Sequence, residues 1–417
     1  MTVAGWLVGG RRPRGRAVQA PTVTRRQRTQ YRQWTGARGR DVWGLGVGHT
    51  RLSTASFLIR CDAVGRRRRA PRGRGLKRDC KAGCSVSSFH QPALQNEAMD
   101  LLAPPGTAAG AGAGAGARAS TYLDATVGGG GHAEVLLSAR EGIKLLAIDK
   151  DPEAVAHSGR RLEAFGGRVD FRTGDYADAG ELFGLGEGTL AGVFVDLGVS
   201  SHQIDSLERG FTFKRGAPLD MRMPGGSSDA STAADLLNRL SKEELTTIFR
   251  RYGEVRRAQR LAAEIVERRH SRPLSTSDDL LQVVQAVWRR SPEPSQLAPL
   301  FQALRIAVNR ELESLERALP SFRDLLQPRG RLVVIAYHSL EDRLVKRAFR
   351  EWSQDCVCPP DFPVCRCRGR ALGVGLTRRP IRASEEEVSR NQRARSARLR
   401  AWEKADSEPE AGVGSDA

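Results

Sequence analysis

Four consecutive glycines, Gly128 to Gly131, constrain this chain more than any other part of its sequence. They follow a short apolar stretch ending in an acid, Tyr122-Leu123-Asp124, and lead through His132 into a helix-like Ala-Glu-Val-Leu-Leu. A strand, a tight turn and a helix start in that order are the opening of an alternating α/β unit. Glycine reaches φ > 0 without strain and lets backbone approach a ligand closely. The helix start adds N–H groups without intrahelical partners and a partial positive charge. A nucleotide-like cofactor is the usual occupant of such a turn. Taken alone, Gly128-x-Gly130-x-x-Ala133 is a loose dinucleotide fingerprint, and an ordinary glycine loop is the alternative.

The following segments favour the cofactor. Lys144 to Ile148 is a second apolar run and ends at Asp149, where a carboxylate can accept hydrogen bonds from both hydroxyls of a ribose. Val169 to Phe171 predicts a short third strand, followed by Gly174-Asp175-Tyr176, and Gly192 to Val195 predicts a fourth, ending at Asp196. Strands alternating with helices imply a parallel sheet with ligands at the carboxyl ends of its strands.

The net charge of +19 is misleading about partners. Met1 to Asp79 holds 19 Arg and 1 Lys against 3 Asp and no Glu, so the rest of the chain is close to neutral. Bulk charge is therefore no sign that the folded part binds nucleic acid. The leader, residues 1–87, is Arg-rich, acid-poor and poorly periodic. Its composition resembles a mitochondrial transit sequence, although serine is sparse and the segment long; a basic nuclear tail and a functionless extension are the rivals. Seven cysteines, an odd number, do not suggest a secreted disulfide framework. No apolar run approaches the roughly 18 residues of a membrane span, so no membrane partner is expected.

Past the leader, Gln91 to Leu102 predicts a short helix. Residues 104–118 form an Ala/Gly repeat with nothing to pack, which reads as a flexible linker. Beyond Asp196 the pattern turns helical. Ser241-Lys242-Glu243-Glu244 is a capping box ahead of Leu245, Ile248, Phe249 and Tyr252, and Ser275 to Asp278 is a second cap. Leu304, Val308, Leu312, Leu315 and Leu319 make a further stripe. Arg331 to Tyr337 returns to strand character and Leu340 to Phe349 to helix. The expected organisation is a sheet domain in two parts, 88–224 and 321–404, interrupted by a helical insertion at 225–320, with an acidic disordered tail at 405–417.

Several strings together identify a family. Asp124-Ala-Thr-Val-Gly-Gly-Gly-Gly-His132 is joined by Asp196-Leu-Gly-Val-Ser-Ser-His-Gln203, Arg209-Gly-Phe-Thr-Phe213, Pro218-Leu-Asp-Met-Arg-Met223 and Tyr252-Gly-Glu254. Then come Arg305-Ile-Ala-Val-Asn-Arg-Glu-Leu312, His338-Ser-Leu-Glu-Asp-Arg343 and Asn391-Gln-Arg-Ala-Arg-Ser-Ala-Arg-Leu-Arg400. This order closely resembles the RsmH (MraW) family of small-subunit ribosomal RNA cytosine-N4 methyltransferases, from about His90 to Lys404. With its import-like leader, the chain looks like the mitochondrial member of that family.

The resemblance implies a Rossmann-like methyltransferase sheet with S-adenosylmethionine as cofactor. By motif, the cofactor contacts would be Gly130, Gly131 and His132 in the turn and Asp149 after the second strand, with Tyr176 stacking on the adenine and Asp196 and Gln203 near the methionine end. The four-glycine run departs slightly from the family's Gly-x-Gly-Gly-His. The implied partner is small-subunit rRNA or a pre-ribosomal subunit, in the mitochondrial matrix the 12S rRNA, with a role in ribosome assembly.

The chemistry would be in-line transfer of a sulfonium methyl to a cytosine amine, a poor nucleophile that must be positioned. Asp196 is the candidate hydrogen-bond acceptor for that amine, with cofactor holding as its equal alternative. Phe211 and Phe213 could supply a stacking platform for an unstacked base, with core packing of the loop as the favoured alternative. Asp220, Arg222 and the Asn309/Glu311 pair read as pocket or brace residues, with a structural ion pair as the equal alternative for each. Arg393, Arg395, Arg398 and Arg400 are the local candidate for phosphate contact, against simple solvation of a C-terminal helix. Cys356-x-Cys358 and Cys365-x-Cys367 offer four thiols in a loop, as structural zinc ligands or as reduced thiols; no catalytic metal is expected. A nicotinamide dehydrogenase on the same fold class and a non-catalytic RNA-binding assembly factor are the competing functions.

Overall fold

The computed structural model describes residues 92–104, 120–227, 230–291, 293–359, 364, 366–367 and 369–406. The leader, the Ala/Gly linker after its first residue, all but the first two residues of the acidic tail, and Cys365 lie outside the described residues. Seven strands are present among those described: β1 (Ser120–Asp124), β2 (Ile143–Asp149), β3 (Val169–Thr173), β4 (Leu190–Asp196), β5 (Leu326–Ala336), β6 (Gly373–Gly375) and β7 (Arg398–Lys404). They form one sheet in the order β3-β2-β1-β4-β5-β7-β6. All pairings are parallel except those of β7, which runs antiparallel to both β5 and β6. Strand order reverses between β1 and β4, which opens a crevice at their carboxyl ends.

Period-two patterning builds the sheet. Leu123, Leu146, Ile148, Val193, Val195, Leu332 and Val334 face one apolar cluster. Their chain neighbours Tyr122, Leu145, Ala147, Phe194, Val333 and Ile335 face the other. Both faces of a parallel sheet are buried, so its strands read as nearly continuous apolar runs rather than clean alternation. Helices α1 (Gln95–Leu102), α2 (Gly131–Ala139), α3 (Pro152–Arg161), α4 (Ala179–Leu182) and α5 (Ser201–Asp205) lie in the first half of the described chain. The expected first helix starts four residues later than its apolar pattern does, because Leu94 adopts φ 52° and breaks the run.

A third apolar cluster joins α6 (Ala233–Arg239), α7 (Lys242–Gly253), α8 (Ala258–Ser271), α9 (Ser277–Trp288) and α10 (Pro294–Asn309). Leu245, Phe249, Leu261, Ile265, Leu280, Val284, Leu300 and Leu304 are fully buried there. The Ser241 capping box forms as expected, with the Ser241 hydroxyl accepting from Glu244 N and the Glu244 carboxylate accepting from Ser241 N. The second cap sits one residue later than expected. Thr276 is the N-cap, and one Asp279 oxygen gathers the N–H groups of Ser275 and Thr276.

The stripe Leu304 to Leu319 is not one helix face. Arg310 takes φ 52° and divides α10 from α11 (Glu311–Leu325). Leu304 belongs to the helical cluster, whereas Leu315, Leu319 and Phe322 pack against the sheet. The helical layer therefore closes at Asn309, and α11 is part of the sheet's cover together with α12 (Ser339–Trp352). A last short helix, α13 (Glu385–Arg390), precedes β7. Among the described residues no helix is long and apolar enough to cross a membrane.

Candidate active site

The glycine turn joins β1 to α2 and is held from three sides. Gly128 and Gly130 have φ 49° and 77°, a region glycine enters without strain, and Gly130 is the N-cap of α2. A Cβ on Gly131 would stand 2.4 Å from the Pro92 ring, so the helix start can lie against that residue only without a side chain. From α3, Ser158 Oγ donates to Gly128 O at 2.6 Å and Arg161 Nη1 to Gly129 O at 3.1 Å. From β2, Asp149 Oδ2 accepts the Gly128 N–H at 2.9 Å. The turn is thus fixed before any ligand arrives, with its N–H groups and the α2 N-terminus at one wall of a cavity of about 370 Å3. That size suits a small-molecule ligand.

Three adjacent strands, β1, β2 and β4, end in acids at this crevice: Asp124, Asp149 and Asp196. Burial pushes the Asp196 carboxyl up to about 7, against the lowering effect of its hydrogen bond from Tyr337. Asp124 stands at about 7 as well, raised by burial and by repulsion from Asp196 and Asp149, while the Thr126 N–H pulls the other way. Asp149 is raised to about 6 by burial, opposed by the N–H groups of Asp151 and Gly128. None of the three has a Lys or Arg among its hydrogen-bond or ion-pair partners in the described residues.

Asp196 is positioned by its neighbours. Its N–H donates to Thr126 Oγ1 at 2.6 Å, which ties the end of β4 to the turn after β1. Its Oδ1 accepts from the Tyr337 hydroxyl at 2.9 Å, from the residue following β5. His132 Nδ1 lies 3.7 Å from Asp196 Oδ2. Burial lowers His132 to about 4, so its ring is neutral at neutral pH and this approach is not an ion pair. The ring lies 4.5 Å from that of Phe194.

Other acids around the crevice do have cations. Lys150 Nζ lies 3.1 Å from Asp175 Oδ2; burial pushes Asp175 up, but Lys150 and the Ser314 hydroxyl outweigh it and hold the carboxyl below its ordinary value. Arg209 reaches Asp151 and Glu153, each at 2.9 Å. Arg305 makes a bidentate pair with Glu311 at 2.9 and 3.0 Å. Glu341 is fully buried, yet His338, Arg305 and the Tyr337 N–H together hold its carboxyl below the usual range.

Of the residues singled out from the sequence, Gly131, His132, Asp149, Tyr176, Asp196 and Gln203 all line this one cavity. Gly130 does not line it; it sits behind the turn against Ser158 and Arg161. Tyr176 is buried, with its ring 6.2 Å from Phe322 and Lys150 Nζ 5.8 Å above it. Gln203 closes the capping box of α5 with Ser200 and donates to Asp151 Oδ2 at 2.8 Å, so it braces the start of α3 as well as lining the cavity. Tyr337, Glu341, Lys150, Arg305 and Asn391 line the cavity and were not singled out as cofactor contacts. Tyr337 had one legible signal: it directly follows the strand paired with β4.

Other expectations change. Phe211 and Phe213 pack on the helical cluster, Phe213 edge-on to Phe301 at 5.9 Å, which is core packing rather than a platform. Asp220 and Arg222 pair with each other at 2.8 Å. Asn309 is a brace: its side chain accepts from Met223 N and donates to Met221 O, both at 2.8 Å. The basic C-terminal segment is a 3-10 turn followed by β7, not a helix. Arg398 and Arg400 are spent on Asp342, and Arg393 on Asp205, which leaves Arg395 as the exposed cation of that set. The Cys365 part of the thiol set lies outside the described residues, but Cys356, Cys358 and Cys367 converge.

Comparison with known proteins agrees with this geometry. A model described as the MraW methylase family matches residues 87–405. The chain is similar to the ribosomal RNA small subunit methyltransferase H of Gemmatimonas aurantiaca, 46% identical over 322 residues, covering 77% of this chain and 96% of that protein. The protein of the same description from Pelobacter propionicus is 48% identical over 289 residues, covering 68% and 92%. That from Syntrophotalea carbinolica is 44% identical over 319 residues, covering 75% and 96%.

Proposed function

The chain belongs to the MraW methylase family of S-adenosylmethionine-dependent methyltransferases, and we propose that it methylates the exocyclic N4 amine of a cytidine in small-subunit ribosomal RNA. We place that reaction in the mitochondrial matrix, on the 12S rRNA, in support of ribosome assembly. The observation that carries the reading is Asp196, held by Tyr337 at the wall of the same cavity as the glycine turn. The rRNA substrate is supported by what the relatives are described as acting on. The matrix location is supported by the Arg-rich, acid-poor residues 1–87.

The residues fit the cofactor. Its adenosine would lie along the turn backbone, with Asp149 as ribose acceptor; each Asp149 oxygen holds one N–H and keeps a further lone pair. Its cationic portion answers Asp196, a half-buried carboxylate of the cavity wall with no Lys or Arg on it among the described residues. When bound, the cofactor supplies an electrophilic sulfonium methyl. The chain's own contribution is placement and proton handling. Asp196 accepts an N–H of the cytosine amine and so keeps the lone pair on nitrogen rather than in the ring. A carboxyl held near 7 then takes the proton that the amine gives up as the N–C bond forms. Tyr337 fixes which Asp196 oxygen is free for this. The target base must leave its stack to enter, so single-stranded or looped RNA is the substrate form.

The decisive experiment is mass spectrometry of small-subunit rRNA from cells lacking the protein, with rescue by the wild type and by Asp196→Asn. Loss of N4-methylcytidine, restored by the wild type alone, is the expected result. Unchanged N4-methylcytidine overturns the reaction. Rescue of ribosome assembly by Asp196→Asn without methylation would make RNA binding the main role. A reporter carrying residues 1–87 that stays in the cytosol overturns the matrix assignment.

A further inference from the structure

We propose that Cys356, Cys358 and Cys367 hold a structural zinc ion in the loop between α12 and β6. The three sulfurs lie within 4.8 Å of one another, and Cys356 Sγ stands 3.8 Å from Cys367 Sγ. Tetrahedral zinc with Zn–S bonds of about 2.3 Å sets its sulfurs about 3.8 Å apart. A disulfide would need about 2.05 Å, so the pair is arranged for a shared ion and not for a bond to each other.

The backbone around the sulfurs is arranged for thiolates. Val357 N donates to Cys367 Sγ and Arg366 N donates to Cys358 Sγ, both at 3.4 Å. Each arm of the loop thus offers an N–H to a sulfur of the other arm, the outer support that ligating groups receive. Thiolate sulfur is a soft donor and selects zinc over magnesium or calcium. On binding, each thiol gives its proton to solvent. A further donor completes the tetrahedron.

The same loop is tied at its base. Its base is closed by Leu372 N to Trp352 O at 2.7 Å and Ala371 N to Asp355 Oδ1 at 3.0 Å. Beyond the base, Val357 and Val364 are exposed, and among the described residues no apolar cluster holds the two arms together there. A metal supplies the cohesion that a small core cannot. None of these residues lines the cavity at the glycine turn, so the role is structural and independent of the methyl-transfer reading.

The test is metal analysis of the full chain purified under reducing conditions from zinc-supplemented medium. The expected content is about one zinc per chain. Cys358→Ser and Cys367→Ser should each retain less than about a tenth of it. Cys61, Cys80 and Cys84 stay in place in these variants, so the loss reports this loop. Because a variant could misfold, wild-type protein from cobalt-supplemented medium provides a second readout. Thiolate-to-cobalt charge-transfer and intense tetrahedral d–d bands are expected. A wild type without zinc, variants that keep it, or a cobalt spectrum without those bands would each overturn the site.

Discussion

Two sets of acids in and around the same cavity differ in one respect. Asp151, Asp175, Glu341 and Glu311 each have a Lys, Arg or His within ion-pair reach, and Asp175 and Glu341 are held below their ordinary values. Asp124, Asp149 and Asp196 have no Lys or Arg on them among the described residues and are held up at about 7, 6 and 7. The paired set is frame: its charges are balanced by the chain. The unpaired set is an incomplete charge arrangement that a cation would complete, and a sulfonium cofactor is one. Perturbed carboxyls in a cleft are where function concentrates.

The comparison can be broken first from the paired side. Arg209 and Asp151 are both nearly inaccessible. Arg209→Met should leave Asp151 as an uncompensated buried charge and cost about 3–5 kcal/mol in chemical denaturation. A cost within that of an exposed substitution would mean the paired set is not structural.

On the unpaired side, Asp196→Asn keeps shape and removes the charge. Methyl transfer should fall about 100-fold or more in single-turnover assays, with melting temperature unchanged or raised. Retention of a third of the rate would remove Asp196 from the chemistry.

A weaker probe is pH. The cofactor cation binds the ionised carboxylate at the cavity wall, so its affinity should drop about tenfold from pH 8 to pH 6 as Asp196 takes up a proton. The free protein should show the opposite slope. Groups whose folded pKa exceeds the unfolded value lose their contribution to stability as pH rises through about 7. Calorimetry of cofactor binding and denaturation, each across that range, measure the two slopes. Parallel slopes would contradict the assignment.

The smallest effect belongs to Tyr337→Phe. It removes the hydrogen bond that lowers Asp196, so the acid limb of the pH–rate profile should move upward by less than about one unit. The rate at pH 7 should fall about threefold, the worth of one hydrogen bond.

The comparison also explains what the sequence discloses. Asp149 and Asp196 are legible because a strand's last residue is a local fact, set by where an apolar run stops. Their partners are not. Tyr337 meets Asp196 across 141 positions, and Arg400 meets Asp342 across 58. That second pairing is why a basic segment reads as an RNA contact when two of its arginines balance a carboxylate. The Leu304–Leu319 stripe misleads for a different reason. Its 3.6-residue period continues through Arg310, while one left-handed residue there sends the two halves to different cores. Periodicity reports which residues are apolar; it does not report which core each one enters.

Strand β7 has a consequence in time. It is the last strand of the described chain, yet it lies between β5 and β6 rather than at an edge. Asn391, Arg393 and Ser396, which line the cavity, come just before it. During synthesis β5 has an exposed edge until residue 404 has emerged, and the cavity has no complete wall before then. A nascent chain of this protein therefore cannot seal the cavity early, whatever its first three strands have achieved. Premature termination anywhere upstream of β7 yields an open sheet edge rather than a shortened enzyme.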